Sequence, residues 1–234
     1  MLRVGWFPTP PRHLMEMVMT DELPAEAVTE DEVNRRANEK ARKRKVARDK
    51  ILASKTIEKG LLIVHTGKGK GKSTAAFGLV VRALGNGLKV GVVQYVKGKW
   101  QTGERAVLEK FPDQVEIRTM GEGFTWETQD RARDIRAAEN AWEVSKRMIE
   151  ASRGDAPKYD MVLLDELNIV LRYGYLDLAE VVEFLSNRPE MLHVIVTGRN
   201  AKPELVEAAD LVTEMTMMKH PFRAGVRAQK GIEF

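Results

Sequence analysis

The sequence predicts an α/β protein: a mainly parallel sheet flanked by helices on both faces, preceded by a helical arm. Three observations predict it. From about residue 60 onward, short β-branched apolar runs alternate with longer amphipathic stretches. One of these runs leads into a glycine-rich turn that opens a helix, and a later one ends in two adjacent carboxylates. Strands that read as unbroken apolar runs are buried on both faces, which implies parallel strands joined by crossover helices.

The strand-like runs are Leu61–His65, Lys89–Tyr95, Val115–Thr119, Met161–Leu164, Leu192–Thr197 and Leu211–Thr213. Helical patterns lie between them, notably Ser73–Leu84, Thr128–Ser152 and Leu178–Leu185. No internal repeat and no low-complexity tract interrupts the alternation. A chain of 234 residues, 43% of them hydrophobic, holds one substantial core with room for an appended arm.

The formal charge of +4 and the pI near 9.2 suit a polyanionic ligand such as a nucleotide, but also an average soluble enzyme. No apolar run reaches the ~18 residues that a membrane span needs. The absence of cysteine excludes disulfides, thiolate metal sites and cysteine nucleophiles. These features predict a cytoplasmic protein.

Residues 1–30 are Pro- and Met-rich, then acidic, and are expected to form a disordered tail. Pro8, Pro10, Pro11, Asp21, Glu22 and Glu26 stand where a secretory signal would need an apolar segment. Met15, Met17 and Met19 offer alternative translation starts. Residues 31–59 are expected to form a basic helix, capped by Thr29 or Asp31, with acidic residues in its first turn where the dipole favours them. From Arg35 to Lys59 there are eleven Lys/Arg against three acids, and only a thin apolar stripe at Val46, Ile51 and Leu52. A solvated helix docked lightly on one side, a flap over an anionic ligand and a nucleic-acid arm all fit this pattern. Residues 60–234 form the predicted α/β domain.

The strongest signal is Leu61-Leu-Ile-Val-His-Thr-Gly67-Lys-Gly-Lys-Gly71-Lys72-Ser73-Thr74, followed by the helical AAFGLVVRAL. A buried strand, a glycine-rich turn and Lys-Ser opening a helix make a phosphate cradle, or P-loop. Glycines let successive N–H groups turn inward, the helix N-terminus adds positive potential, Lys72 reaches phosphate oxygens, and Ser73 can ligate Mg²⁺. Lys68 and Lys70 add charge that a ligand-free turn would not require. The usual spacing G-x-x-x-x-G-K-S/T would place a glycine at position 66, which is Thr66, so with Gly67, Gly69 and Gly71 the loop is one residue tighter.

Met161-Val-Leu-Leu-Asp165-Glu166 places carboxylates at the carboxyl edge of the sheet, where a metal beside the loop would sit. Val194-Ile-Val-Thr197-Gly198-Arg199 is a third strand end, able to aim a guanidinium at phosphate oxygens or simply to carry a surface arginine. His65 is expected to pack in its strand, and His193 to open one.

These residues resemble a known family. The loop GKGKGKST followed by AAFG, the segment Gly121-Glu-Gly-Phe124-Thr-Trp126-Glu-Thr, LLDEL, TGR, and the closing Lys219-His220-Pro-Phe222…Gly225-Val-Arg-Ala-Gln229-Lys-Gly231 are similar to the P-loop, RecA-like ATP:corrinoid adenosyltransferases of cobalamin biosynthesis and salvage. The resemblance covers about residues 35–234, and the tight loop belongs to the family's pattern. It implies that Gly67, Lys68, Gly69, Lys70, Gly71, Lys72, Ser73 and Thr74 hold the triphosphate of an ATP lying in reversed orientation, which exposes the ribose 5′ carbon. It further implies that Ser73 and Glu166, with Asp165 nearby, bind Mg²⁺ or Mn²⁺, and that Arg82 and Arg199 contact phosphate or nucleotide. Phe124 and Trp126 would face the corrin, where they could displace the lower axial ligand of cobalt and ease its reduction. His220 would lie near the site, and the basic helix would fold over the corrinoid.

The implied acceptor is cob(I)alamin, cobinamide or cobyrinic acid a,c-diamide. A flavoprotein reductant and a homodimer are implied with it, and neither nucleic acid nor membrane is an expected partner. Co(I) is itself a strong nucleophile, which accounts for the lack of a Ser-His-Asp or Cys-His constellation. Two other readings compete: a RecA-like ATPase or nucleic-acid-binding P-loop protein, favoured by the basic helix, and a small-molecule phosphotransferase. Release of intact triphosphate separates adenosyl transfer from both.

Overall fold

The computed structural model describes residues 29–96, 103–121 and 130–232. The chain divides into two compact units, one ending at Ile57 and the other beginning at Glu58. The expected tail, residues 1–30, lies outside the described residues except for its last two.

The described part of the first unit is helix α1, Glu30–Ala53. Thr29 supplies the cap, its hydroxyl accepting from the Glu32 amide at 3.3 Å, and three acids fill the first turn. Pairs one turn apart support the helix, with Arg36 to Glu32 at 2.6 Å and Lys43 to Glu39 at 2.8 Å. No residue of α1 is buried, and Val33, Val46, Ile51 and Leu52 are all more than half exposed.

In the second unit the elements run β1 Leu62–Thr66, α2 Lys72–Gly85, β2 Val90–Gln94, α3 Gly103–Leu108, β3 Val115–Thr119, α4 Arg131–Glu150, β4 Met161–Asp165, α5 Leu167–Arg172, α6 Leu178–Ser186, β5 His193–Thr197, α7 Pro203–Ala208 and β6 Leu211–Glu214. A turn of 3₁₀ helix follows at Pro221–Ala224. All six predicted strands form one sheet in the order β3-β2-β4-β5-β1-β6, and every pairing is parallel.

Each inner strand divides its side chains between two cores, as the two-residue strand period requires. Leu62, Val64, Val162, Leu164, Val194 and Val196 join the core that includes Ala141, Trp142, Ile149, Val181 and Leu205. Ile63, Leu163 and Ile195 face the opposite core, built on Ala76, Phe77, Val80, Ala83 and Leu84 of α2. The α2 set repeats at helical spacing, so one stripe of that helix covers the sheet. On the other face Trp142 of α4 meets Phe184 of α6 edge-on, with centroids 5.4 Å apart. Among the described residues no helix is long and apolar enough to cross a membrane.

A polar clasp fixes the start of β1. The Asp210 carboxylate accepts from the Leu62 amide at 2.8 Å, from Arg188 at 2.8 Å and from Lys59. Arg188 also donates to the Gly60 carbonyl at 2.9 Å. The Lys59 hydrogen bond, then the Leu62 amide, hold the Asp210 carboxyl below the usual aspartate range against the opposing effect of burial. A carboxyl depressed in the folded state stabilises the protein at pH values above its unfolded pKa, and that contribution disappears as pH falls through the folded value. Asp210→Asn is therefore expected to cost about 2 kcal/mol at pH 7, or roughly 4–8 °C in Tm. The gap to wild type should narrow as the pH is lowered below about 4, and thermal melts across pH check this.

Candidate active site

Because all strands are parallel, their carboxyl ends share one edge, the edge at which open α/β sheets bind ligands. Thr66, Gln94, Thr119, Asp165, Thr197 and Glu214 close the six strands there.

The glycine-rich turn leaves this edge from β1. Gly67 takes φ +99°, a conformation that side chains disfavour, and Gly71 caps α2 at φ 103°. Behind the turn runs the chain leaving β6: the Gly69 amide donates to the Met215 carbonyl at 2.6 Å, and the Met215 amide donates to the Thr66 carbonyl at 2.9 Å. A Cβ at Gly67 would stand 2.4 Å from the Met215 oxygen, and one at Gly69 2.6 Å from the Thr216 oxygen. The tight loop is thus pressed backbone to backbone against the β6 extension. Thr66, the departure from the common spacing, is used as well, since its hydroxyl accepts from the Ala201 amide at 2.9 Å.

Lys72 opens α2 and is buried, its ammonium donating to the Gly69 carbonyl across the turn. Burial lowers its pKa from the ordinary lysine value; Glu166 opposes that shift, while Arg199 and Lys70 add to it. Those influences place Lys72, Lys70, Glu166 and Arg199 within one electrostatic neighbourhood. Lys68, Lys70, Thr74 and Arg199 are exposed, and Ser73 is half-buried. His65 is buried as expected, its Nδ1 lying 3.3 Å from the Lys72 carbonyl.

At the end of β4, Asp165 is fully buried. Its Oδ1 accepts from the Thr197 hydroxyl at 2.8 Å and its Oδ2 from the Gln94 amide at 3.4 Å. Glu166 caps α5 in the left-handed region, at φ 66° and ψ 20°, with its own amide donating to Thr197 Oγ1 at 2.9 Å. A Cβ at Gly198 would lie 3.0 Å from Glu166 Oε2, so the Glu166 carboxylate rests against the turn that carries Arg199. Asn168 ties the same turn, donating to the Gly198 carbonyl at 3.1 Å.

The fold thus collects Gly67 to Thr74, Asp165, Glu166 and Arg199 at one edge. It does not bring Arg82 to the loop: that side chain is exposed in the last turn of α2, about 15 Å along the helix from Lys72. His220 caps the 3₁₀ turn, its Nδ1 accepting from the Phe222 amide at 3.2 Å and its carbonyl from the Arg223 amide at 3.2 Å, and its ring meets that of Phe222. Phe124 and Trp126 lie outside the described residues. Sequence reasoning missed Thr66, Gln94, Asn168 and Thr197. For Gln94 and Thr197 the available signal was a polar residue closing an otherwise apolar strand, as in VGVVQ and HVIVT; Asn168, inside α5, carried no such signal.

A buried strand, a glycine turn opening a helix at Lys-Ser, and an acidic strand end on the same edge define a phosphate-loop nucleotide-binding protein. Comparison with known proteins narrows this class. Residues 58–234 match the family model described as ATP:corrinoid adenosyltransferase BtuR/CobO/CobP. Relatives named corrinoid adenosyltransferase include one from a Sinorhizobium species, 56% identical over 220 residues, covering 92% of this chain and 100% of the relative. One from Pseudomonas aeruginosa is 52% identical over 203 residues, covering 87% and 98%. One from Escherichia coli K12 is 49% identical over 186 residues, covering 80% and 91%. The chain belongs to the ATP:corrinoid adenosyltransferase family.

The contact between loop and β6 extension yields a structural prediction. Gly69→Ala must displace backbone, since the new Cβ would meet the Thr216 and Met215 carbonyl oxygens at 2.6 and 2.7 Å. The variant is expected to lose about 1–3 kcal/mol of stability and to lose protection of the Gly69 amide in hydrogen exchange. An unchanged exchange rate at that amide would contradict it.

Proposed function

We propose that this chain transfers the 5′-adenosyl group of ATP to Co(I) of a corrinoid and releases triphosphate. The observation that carries this reading is the one-residue-shorter phosphate loop, seated against the β6 extension, in a chain matched by the family from residue 58 to its end.

In the proposed step the Co(I) electron pair forms a bond to the ribose 5′ carbon, and the carbon–oxygen bond to the triphosphate breaks with its electrons going to that oxygen. No side chain need act as nucleophile or base. The protein's work is to hold the triphosphate, to aim the 5′ carbon outward, and to neutralise the charge that grows on the leaving group. Lys72, Arg199 and the N–H groups of the loop other than that of Gly69, which Met215 already takes, are assigned to the triphosphate. The hard oxygen donors of Ser73 and Glu166 suit Mg²⁺ or Mn²⁺, an ion that takes most of its ligands from phosphates and water and would supply further charge neutralisation. Asp165 already receives Thr197 and Gln94 on its two oxygens, which argues for a supporting role.

Cobalamin, cobinamide and cobyrinic acid a,c-diamide are the proposed acceptors, with Co(I) supplied by a flavoprotein. We place the enzyme in the cytoplasm, where ATP is made, and assign it a homodimer on the family resemblance.

The direct test is an anaerobic assay with ATP, Mg²⁺ and a chemically reduced corrinoid. An adenosylcobalt spectrum with one triphosphate per corrinoid is expected; ADP and phosphate as products would instead mark an ATPase or kinase. Lys72→Ala should weaken ATP binding roughly 100-fold while unfolding stays cooperative, and near-normal affinity by calorimetry would remove the loop from the mechanism. If Phe124 and Trp126 serve to push off the lower ligand of Co(II), replacing both with Ala should cripple turnover driven by a flavoprotein and largely spare turnover with preformed Co(I). Equal losses in the two assays would reduce them to substrate contacts.

A further inference from the structure

A continuous hydrogen-bond chain runs along the carboxyl edge of the sheet. Arg105 Nη1 on α3 donates to Thr119 Oγ1 at 3.0 Å, and the Thr119 hydroxyl donates to Gln94 Oε1 at 3.0 Å. The Gln94 amide donates to Asp165 Oδ2 at 3.4 Å, the Thr197 hydroxyl donates to Asp165 Oδ1 at 2.8 Å, and the Glu166 amide donates to Thr197 Oγ1 at 2.9 Å. The parallel register sets these residues side by side, since Thr119 pairs with Gln94 and Gln94 with Asp165.

The donor directions are determined by chemistry. A hydroxyl has one hydrogen, so Thr197, which gives it to Asp165, presents only lone pairs to the Glu166 N–H. Gln94 gives N–H to the carboxylate and must turn its carbonyl to Thr119, which in turn can accept from Arg105. From both sides the donors converge on Asp165, and a fully buried carboxylate needs such donors.

We propose that Thr197, backed by Gln94, is a positioning residue for Glu166, and that Asp165 is the buried anchor of this chain instead of a metal ligand. Glu166 holds a left-handed conformation that a residue with a Cβ keeps only when its surroundings impose it. The Thr197 oxygen imposes it, gripping the Glu166 amide while Asp165, one residue earlier, grips the Thr197 hydroxyl. The two residues at the end of β4 thereby point different ways: Asp165 into the edge of the sheet, Glu166 against Gly198 and within the electrostatic reach of Lys72. Losing the Thr197 hydroxyl frees the Glu166 backbone and leaves the phosphate loop intact. The inference rests on the proposed assignment of Glu166 to the metal.

The test is calorimetric titration of ATP into the full-length protein without corrinoid, across a Mg²⁺ series and in EDTA. Thr197→Val should raise the Mg²⁺ concentration needed for tight ATP binding roughly 10–100-fold, the range seen when supports of metal ligands are removed. Its affinity for ATP in EDTA should match wild type, and Thr197→Ser, which keeps the hydroxyl, should restore the Mg²⁺ response. Gln94→Met, which removes the other donor to Asp165, should shift the response in the same direction by a smaller factor, and it decides the matter if Thr197→Val does not fold. A Mg²⁺ response in either folded variant that overlays wild type overturns the proposal, as does failure of Thr197→Ser to restore it. Glu166→Gln is the control: if its Mg²⁺ response also overlays wild type, the metal assignment of Glu166 falls and the positioning role with it. A Glu166→Gln loss beside a silent Thr197→Val sinks the positioning role alone.

Discussion

The pairing of β1 between β5 and β6 is the constraint on which the site depends. Parallel register brings His65 level with Thr197 on one side, and Thr66 level with Glu214 on the other. One side delivers the turn with Arg199, and the other delivers the backbone that braces the glycine loop. The clasp of Asp210 on the Leu62 amide sets where β1 begins, and therefore where Gly67 leaves the sheet. A slip of one residue between β1 and β6 would separate the loop from Met215, and one between β1 and β5 would set side chains of opposite cores level, because neighbouring strand positions face opposite sides.

The electrostatics of the edge suit an anion better than an empty site. Lys72 is buried beside Arg199 and Lys70, with Glu166 as the opposing charge that its pKa registers. Burying an ammonium is costly unless it is paired, and the Gly69 carbonyl accounts for only one of its donors. In the proposed reading a triphosphate over the loop brings negative charge to Lys72, with Arg199 exposed at the neighbouring turn. Backbone approaches the loop closely at Gly67 and Gly69, where a Cβ would not fit, and the Gly69 amide is held by Met215.

The proposed chemistry asks little of side-chain reactivity, and the site is built accordingly. Its polar groups at the strand ends are spent on holding one another, in the chain from Arg105 to the Glu166 amide. Adenosyl transfer to a strong nucleophile needs alignment, charge neutralisation and exclusion of water. In the proposed reading the hydrogen-bonded edge serves the first need, and Lys72 with Arg199 the second.

All six strands, helices α2, α4 and α6, and the phosphate loop were legible in the sequence. Each is written in local terms: an unbroken apolar run for a strand buried on both faces, a helical stripe such as Ala76, Phe77, Val80, Ala83 and Leu84, and glycines at fixed spacing before Lys72. The acidic pair was legible too, but the hydrogen bonding that buries Asp165 was not, because it depends on Thr197 and Gln94 from other strands. The same holds for the brace at Met215 and Thr216 and for the use of Thr66 by Ala201, contacts that join segments distant in sequence. Arg82 shows the converse, since a basic residue shortly after the loop looks close on paper, yet the rise of a helix carries it away. Local periodicity and spacing determined which elements form and where the glycine loop and the acidic strand end stand. Strand order and register decided which side chains meet, since those contacts arise only when the sheet has assembled.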